Sequence, residues 1–378
     1  DVADASTVSC DNVDWCTVPT PMSARWSFTA VWGTSKTDVW AVGSGGTILH
    51  YDGTEWTATQ SEHLDTFHDV WGSGPNDVWA VSSSQLILHS TGASNGTVTW
   101  TNVPIATSAN MEVHDAAPQR VFAVWGSGPN DVRLGTNATR VTVTSPADSA
   151  FRYQSAVTQF SIGTGGDAGA LQWRAMPSGG DRVLGLWGSS ATDVWLTLDN
   201  SSNVAHESGV ILHGTPYTGG RPNPAALHGT CNGCLPGCTA CSVVDDPLVW
   251  TPVDSQSQVA LESVWGSSAD DVWAVGRRGT IRRFRAGDTR WQVVDSPTTD
   301  DLHRVWGSGP DDVWMVGDNG TILHFDGTTI TASTALFPTE HRPTLRGVWG
   351  SGPDDVWIVG DAIALHYTGG AREKKDAP

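Results

Sequence analysis

An all-β fold is predicted for this 378-residue chain: a seven-bladed β-propeller of four-stranded antiparallel blades, with the N-terminal strand closing the last blade. Three observations predict it. A Val or Leu followed by Trp-Gly recurs seven times, with its tryptophan at Trp32, Trp71, Trp125, Trp187, Trp265, Trp306 and Trp349. The closest copies lie roughly 40 residues apart, the period of a propeller blade. The final copy lacks a fourth strand, and the segment Val13 to Pro19 offers one at the other end of the chain.

Each copy reads as four short apolar, β-branched runs separated by Gly, Pro, Asn and Asp. In the sixth, "LHRVWG" (Leu302 to Gly307) is the first strand and "DVWMVG" (Asp312 to Gly317) the second. "TILHFDG" (Thr321 to Gly327) is the third and "TTITAST" (Thr328 to Thr334) the fourth. The second strands carry Trp40, Trp79, Trp195, Trp273, Trp314 and Trp357, and the fourth strands Trp15, Trp56, Trp100, Trp173, Trp250 and Trp291. Large rings at fixed places in a repeat fill the space between neighbouring sheets. Of the 20 tryptophans, Trp26 alone falls outside these columns. The repeats make residues 1–378 one domain, with insertions in the third blade (about 140–170) and the fourth (198–208 and the Cys-rich 217–247).

Asp38, Asp77, Asp131, Asp193, Asp271, Asp312 and Asp355 share one position after the first turn, where a carboxylate accepts hydrogen bonds from turn amides. Asp354 beside Asp355 does not make a calcium site, because its column holds Thr or Asn in four of the other copies, at Thr37, Asn76, Asn130 and Thr192. His50, His89, His213, His324 and His366 recur in the third strands and read as partly buried scaffold.

A net charge of -19 argues against nucleic acid, which demands clustered Lys and Arg. No apolar run is long enough to span a membrane as a helix. A start at Asp1 together with six cysteines predicts a secreted, cell-surface or periplasmic protein. Cys10 and Cys16 flank the closing strand and are expected to pair. Cys231, Cys234, Cys238 and Cys241 are expected to pair among themselves in a stapled loop, their C-x-x-C pairs being set too close for the usual zinc arrangement.

If the repeated residues build the scaffold, function belongs where the copies differ. Three residues before the Val or Leu of the motif, the copies read Phe28, Phe67, Val121, Val183, Leu261, Leu302 and Leu345, uniformly apolar. Two before, they read Thr29, His68, Phe122, Leu184, Glu262, His303 and Arg346; one before, Ala30, Asp69, Ala123, Gly185, Ser263, Arg304 and Gly347. These two columns line the mouth of the central channel, where the second-to-third-strand turns add Arg277, Arg278, Asp318 and Asp361. Ligand binding is therefore assigned to His68, Asp69, Arg304, Arg346, Arg277 and Asp318, the arginine forks suiting an anionic ligand. His68, Glu262 and His303 are the candidates for acid–base chemistry, since imidazole titrates near about 6.5. No cofactor is indicated; a metal between His68 and His303 needs a third ligand such as Glu262 or His341.

The string "VWGSGPNDVWAVG…GTILHYDGTEW" resembles the seven-bladed repeats of exported proteins from myxobacteria and their relatives. The order "WG, DVW, LH, W" is loosely similar to bacterial seven-bladed lectins, which implies sugar sites between blades. Some polysaccharide lyases are propellers with His, Tyr and Arg at the channel mouth. His68, His303, Arg304 and Arg346 match these in type, whereas Tyr51, Tyr153, Tyr217 and Tyr367 lie in third strands or insertions. There is no HExxH, G-x-S-x-G or phosphate loop. The expected function is recognition of an extracellular glycan or protein ligand at the channel mouth, the alternative being a polysaccharide lyase or hydrolase-like enzyme working there.

Overall fold

The computed structural model describes residues 10, 13–23, 25–84, 86–94, 97–103, 120–142, 151–161, 172–178, 182–199, 209–216, 227–229, 241–243, 248–338 and 342–367. At 93–94, 137–142, 151–161, 172–178, 227–229 and 241–243 it describes backbone alone. Within these residues the chain is built of antiparallel strands and short turns. No helix among them is long and apolar enough to cross a membrane.

Each Val/Leu-Trp-Gly motif lies in the first strand of a unit: Phe28–Ser35, Phe67–Gly74, Val121–Gly128, Arg182–Ser190, Leu261–Ser268, Leu302–Gly309 and Leu345–Gly352. These strands pack side by side in sequence order, and the last packs back against the first, so they form a closed ring around a central axis. The apolar column behind them has become the core, Phe28, Phe67, Val121, Val183, Leu261, Leu302 and Leu345 all being fully buried.

Glycine explains why the ring is tight. The six-membered ring of Trp32 lies where a Cβ on Gly72 would stand, and the same contact joins Trp71 to Gly126, Trp125 to Gly188 and Trp187 to Gly266. It continues from Trp265 to Gly307 and Trp306 to Gly350, and Trp349 returns to Gly33. Only a residue without a side chain admits so large a ring at that distance. Further out, second-strand tryptophans meet fourth-strand tryptophans of the next unit edge to face, as in Trp40 with Trp100 (5.6 Å), Trp195 with Trp291 (5.3 Å) and Trp357 with Trp56 (5.1 Å). Such pairs contribute about 1 kcal/mol each beyond their area.

The sheets depart from the expected seven separate ones. Five have four strands, and a sixth has eight. The reason is local: the long strand Asp131–Thr142 runs past its own unit and pairs at Asn137 with Arg182 of the following one. The strand Phe151–Ser161, read as insertion from the sequence, pairs with Asp131–Thr142 along most of its length. At the N-terminus, Trp15–Thr17 pairs antiparallel with Ile363–Tyr367, Trp15 facing Tyr367. Trp15 is fully buried and meets Trp314 edge to face at 5.0 Å. The Cα atoms of Cys10 and Cys16 stand 5.8 Å apart with their sulfurs in contact. Cys231, Cys234 and Cys238 lie outside the described residues, as do His341 and most of the fourth unit's insertions; Cys241 opens a short strand paired with Leu227–Gly229.

Candidate functional site

Two register breaks interrupt every first strand where it pairs with the second, one near each end. A β-bulge leaves one residue unpaired and re-aims its side chain. At the far end the unpaired residue is always Ser or Thr, and its hydroxyl donates to the Oδ2 of the repeated aspartate of its own unit. The pairs are Thr34 with Asp38, Ser73 with Asp77, Ser127 with Asp131, Ser189 with Asp193, Ser267 with Asp271, Ser308 with Asp312 and Ser351 with Asp355. The other oxygen takes a third-strand histidine, as in His89 to Asp77 (2.7 Å) and His366 to Asp355 (2.6 Å). Arg283 replaces histidine against Asp271 (2.6 Å), whereas Arg133, standing at the second-strand tryptophan position, donates to Asp131 (3.2 Å) as Trp40 does to Asp38 (3.1 Å). The histidine then stacks on the second-strand tryptophan, His213 on Trp195 at 3.8 Å. Serine and histidine both bind the aspartate rather than each other, so this is a structural clasp with no nucleophile–base contact. The repeated aspartates and histidines, read separately from the sequence, are partners.

At the near end the unpaired residues are Thr29, His68, Phe122, Leu184, Glu262, His303 and Arg346, the same column that the sequence singles out. All seven are half-buried. The bulge leaves each one out of the ladder with the second strand.

Glu262, His303, Asp318 and Arg277 come together there. His303 Nδ1 lies 2.7 Å from Glu262 Oε2 and its Nε2 lies 2.9 Å from Asp318 Oδ1. Arg277 Nε donates to Glu262 Oε1 (3.2 Å), and Thr344 Oγ1 donates to Asp318 Oδ1 (2.9 Å). Burial works against a charged imidazole, but the two carboxylates outweigh it and hold His303 above its ordinary pKa. The same contacts overcome partial burial to hold Glu262 and Asp318 below theirs. Carboxylates at both ring nitrogens favour the imidazolium form of His303, which has no lone pair for a proton or a metal.

Arg304 and Arg346, expected to grip an anionic ligand, already grip carboxylates of the chain. Arg346 Nε donates to Asp361 Oδ1 (3.0 Å). Arg304 Nη2 donates to Asp69 Oδ1 (3.1 Å), whose Oδ2 also accepts the Val124 amide (3.0 Å). Arg304 and Asp69 sit on first strands that are not neighbours in the ring, so this pair spans the channel. The small wall residues Ala30, Ala123, Gly185, Ser263 and Gly347 leave room for it. Burial pushes the Asp69 carboxyl up, and Arg304 with the amides of Val124 and Val70 offsets part of that.

His68 stands apart from His303 and shares no hydrogen bond with it. Its ring lies 5.3 Å from that of Phe122. Burial first, then Arg182 and Arg120, push its pKa below the ordinary value, so it is neutral at pH 7. A metal bridging His68 and His303 has no support in this geometry: among the described residues no three His, Cys, Asp or Glu side chains are grouped to hold one.

The arrangement joins a braced channel to a mouth of mixed charge. No family model and no curated protein matches the chain. Solved structures do: a YCF48 bound to D1 peptide aligns with a TM-score of 0.62 at 17% identity, covering 95% of this chain and 98% of that one. YCF48 from Cyanidioschyzon merolae aligns at 0.60 and 16%, covering 94% and 98%. The chain is a β-propeller. Identity this low speaks for the fold alone. Around the propeller's mouth, the turns Arg277–Gly279 and Asp318–Gly320 place Arg278 (φ 55°) and Asn319 (φ 54°) in the left-handed region. That conformation costs about 1 kcal/mol, and at Arg278 the amide is held by Asp301 Oδ1 (2.8 Å), leaving the side chain exposed at the mouth.

The sequence reading missed Phe122, Arg120 and Arg182 as site residues. Phe122 was in the column already compared. Arg120 and Arg182 share the next column outward, four residues before the Val or Leu, where other copies carry Ser27, Thr66, Ala260, Asp301 and Thr344.

Proposed function

We propose that this chain is an exported seven-bladed β-propeller that binds a segment of a partner protein at its channel mouth. The observation that carries the binding reading is the contrast between the two bulges. One repeats a single hydroxyl–aspartate contact in every unit, while the other presents different chemistry in nearly every unit on the same rigid frame. A peptide is favoured over a glycan because a similarly folded YCF48 has been solved bound to D1 peptide. Further support is the mouth's exposed apolar contribution, Trp26 (42% exposed) resting on Gly45 and Leu64 (85% exposed) nearby in the loop whose His63 backs Gly46.

The blade count follows from treating the eight-stranded sheet as two blades joined at the single pair Asn137–Arg182, and seven Trp–Gly contacts around the ring support it. Pairing of Trp15–Thr17 with Ile363–Tyr367 supports closure by the N-terminal strand. Contact of the Cys10 and Cys16 sulfurs supports a disulfide and hence an oxidising compartment. An enzyme is the second reading, favoured only by the neutral, unengaged imidazole of His68.

The test exposes the full chain to a peptide-display library and to panels of neutral and acidic glycans, mapping bound peptides by hydrogen exchange. Selected peptides should slow exchange at 277–279, 318–320 and 361–362. Retention of glycans without peptides would transfer the site to carbohydrate. Cleavage products that vanish in His68→Gln would establish the enzyme instead.

A further inference from the structure

We propose that the sector of the mouth formed by His68, Phe122 and Arg182 is a subsite for a carboxylate group of the bound partner. The proposal deepens the partner-binding reading and rests on it. The three residues come from three successive first strands, so the subsite exists only in the closed ring.

Phe122 is its floor. The Arg182 guanidinium lies over the Phe122 ring at 5.0 Å, and the His68 ring approaches the same phenyl ring at 5.3 Å with a 45° tilt. Stacking one face of a guanidinium on an aromatic ring fixes its plane and leaves its N–H edges to hydrogen-bond. One edge is used, Nη2 donating to Asp199 Oδ2 at 2.8 Å. Nε is enclosed without a partner, and among the described residues Nη1 donates to no atom, so Nη1 is the edge left for a ligand. Among the described residues neither nitrogen of His68 has a hydrogen-bond partner. By contrast, Arg277, Arg304, Arg346 and His303 at the same mouth are each matched by an acid of the chain.

Charge then selects the ligand. Arg182 and Arg120 both act on His68, and Asp199 answers Arg182 from the neighbouring strand. A cation entering this sector meets like charge. A carboxylate meets the unused Nη1 of Arg182 with one oxygen and, once His68 takes a proton, an imidazolium N–H with the other. Its charge offsets the burial, and the Arg182 and Arg120 charges, that lower the His68 pKa, so carboxylate binding and His68 protonation favour each other.

The experiment follows the His68 ring resonance by NMR on the full chain, identified by its loss in His68→Gln. N-acetylglycine supplies a chain-terminal carboxylate and N-acetylglutamate α-amide a side-chain carboxylate; N-acetylglycinamide and inorganic phosphate are the comparisons. At least one carboxylate should raise the His68 titration midpoint by about one pH unit, showing which source fits, while the amide leaves it unmoved. Arg182→Gln should abolish the rise with the near-ultraviolet circular dichroism unchanged; should that variant fail to fold, the carboxylate–amide comparison on the unaltered chain decides. An unmoved midpoint with both carboxylates, or an equal rise with the amide or with phosphate, overturns the proposal. A selected peptide that protects the mouth yet leaves His68 unmoved overturns the subsite while the partner reading stands; absence of all peptide binding overturns that reading instead.

Discussion

Arg304 reaches across the channel to Asp69, a residue 235 positions away, with Nη2 3.1 Å from Oδ1. The pair braces the ring internally, because each member projects from a first strand and the two strands are not neighbours. Removing one partner from such a pair strands a buried charge. Asp69→Ala should therefore lower stability by about 3 kcal/mol, the Val124 amide losing its acceptor as well. Arg304→Met should lower it less, because protonation of Asp69 relieves the orphaned acid. A urea-unfolding double-mutant cycle measures the coupling, and additive effects would dismiss the brace.

The two mouth histidines should give opposite pH dependences. His303 has a raised folded pKa, so its contribution is complete below its unfolded value of 6.5 and is lost as pH climbs through the folded value. Its partner Glu262 has a lowered pKa, so that contribution is present above 4.5 and is lost as pH falls. The cluster is strongest between these limits. His68 has a lowered folded pKa, so stability falls as pH drops below 6.5. His303→Gln should flatten the decline above pH 6.5, and His68→Gln the decline below it, in unfolding measured at a series of pH values.

Gly72→Ala and Gly74→Ala are neighbouring changes with different expected outcomes. A Cβ on Gly72 would meet Trp32 Cη2 at 2.6 Å and the Asp77 carbonyl at 2.3 Å, whereas one on Gly74 meets nothing within 4 Å. The first should cost about 2 kcal/mol through overpacking and the second almost nothing. Thermal melts of both variants compare them directly, and similar melting temperatures would remove the Trp–Gly contact from the account of ring closure.

Asp354 and Asp355 offer a similar contrast between adjacent acids. Asp355 accepts from Ser351 and His366, while Asp354 is exposed. Asp355→Ala should cost about 2 kcal/mol, by loss of a network joining three strands, and Asp354→Ala less than about 0.5 kcal/mol. Chemical denaturation of the two variants provides the check, an equal loss arguing against the clasp.

The sequence by itself determined the strand order, the buried column headed by Phe28 and the tryptophan columns, because each repeats with the period of the unit; that each ring lies on a glycine of the next unit was decided by the tertiary structure. It also singled out the variable column headed by Thr29, though not the bulge at which that column stands, since a bulge is a property of two paired strands. It could not show that Asp38 and His50 are partners, because their contact lies across a sheet rather than along a strand. Tertiary structure alone decided which mouth cations are already neutralised. Arg304 looks as available as Arg182 in sequence, yet ring closure sets Arg304 opposite Asp69, while among the described residues only the Nη2 of Arg182 meets an acid. The physical reason is that charge pairing depends on distance through space, and a closed ring brings together acids and bases that no repeat period relates.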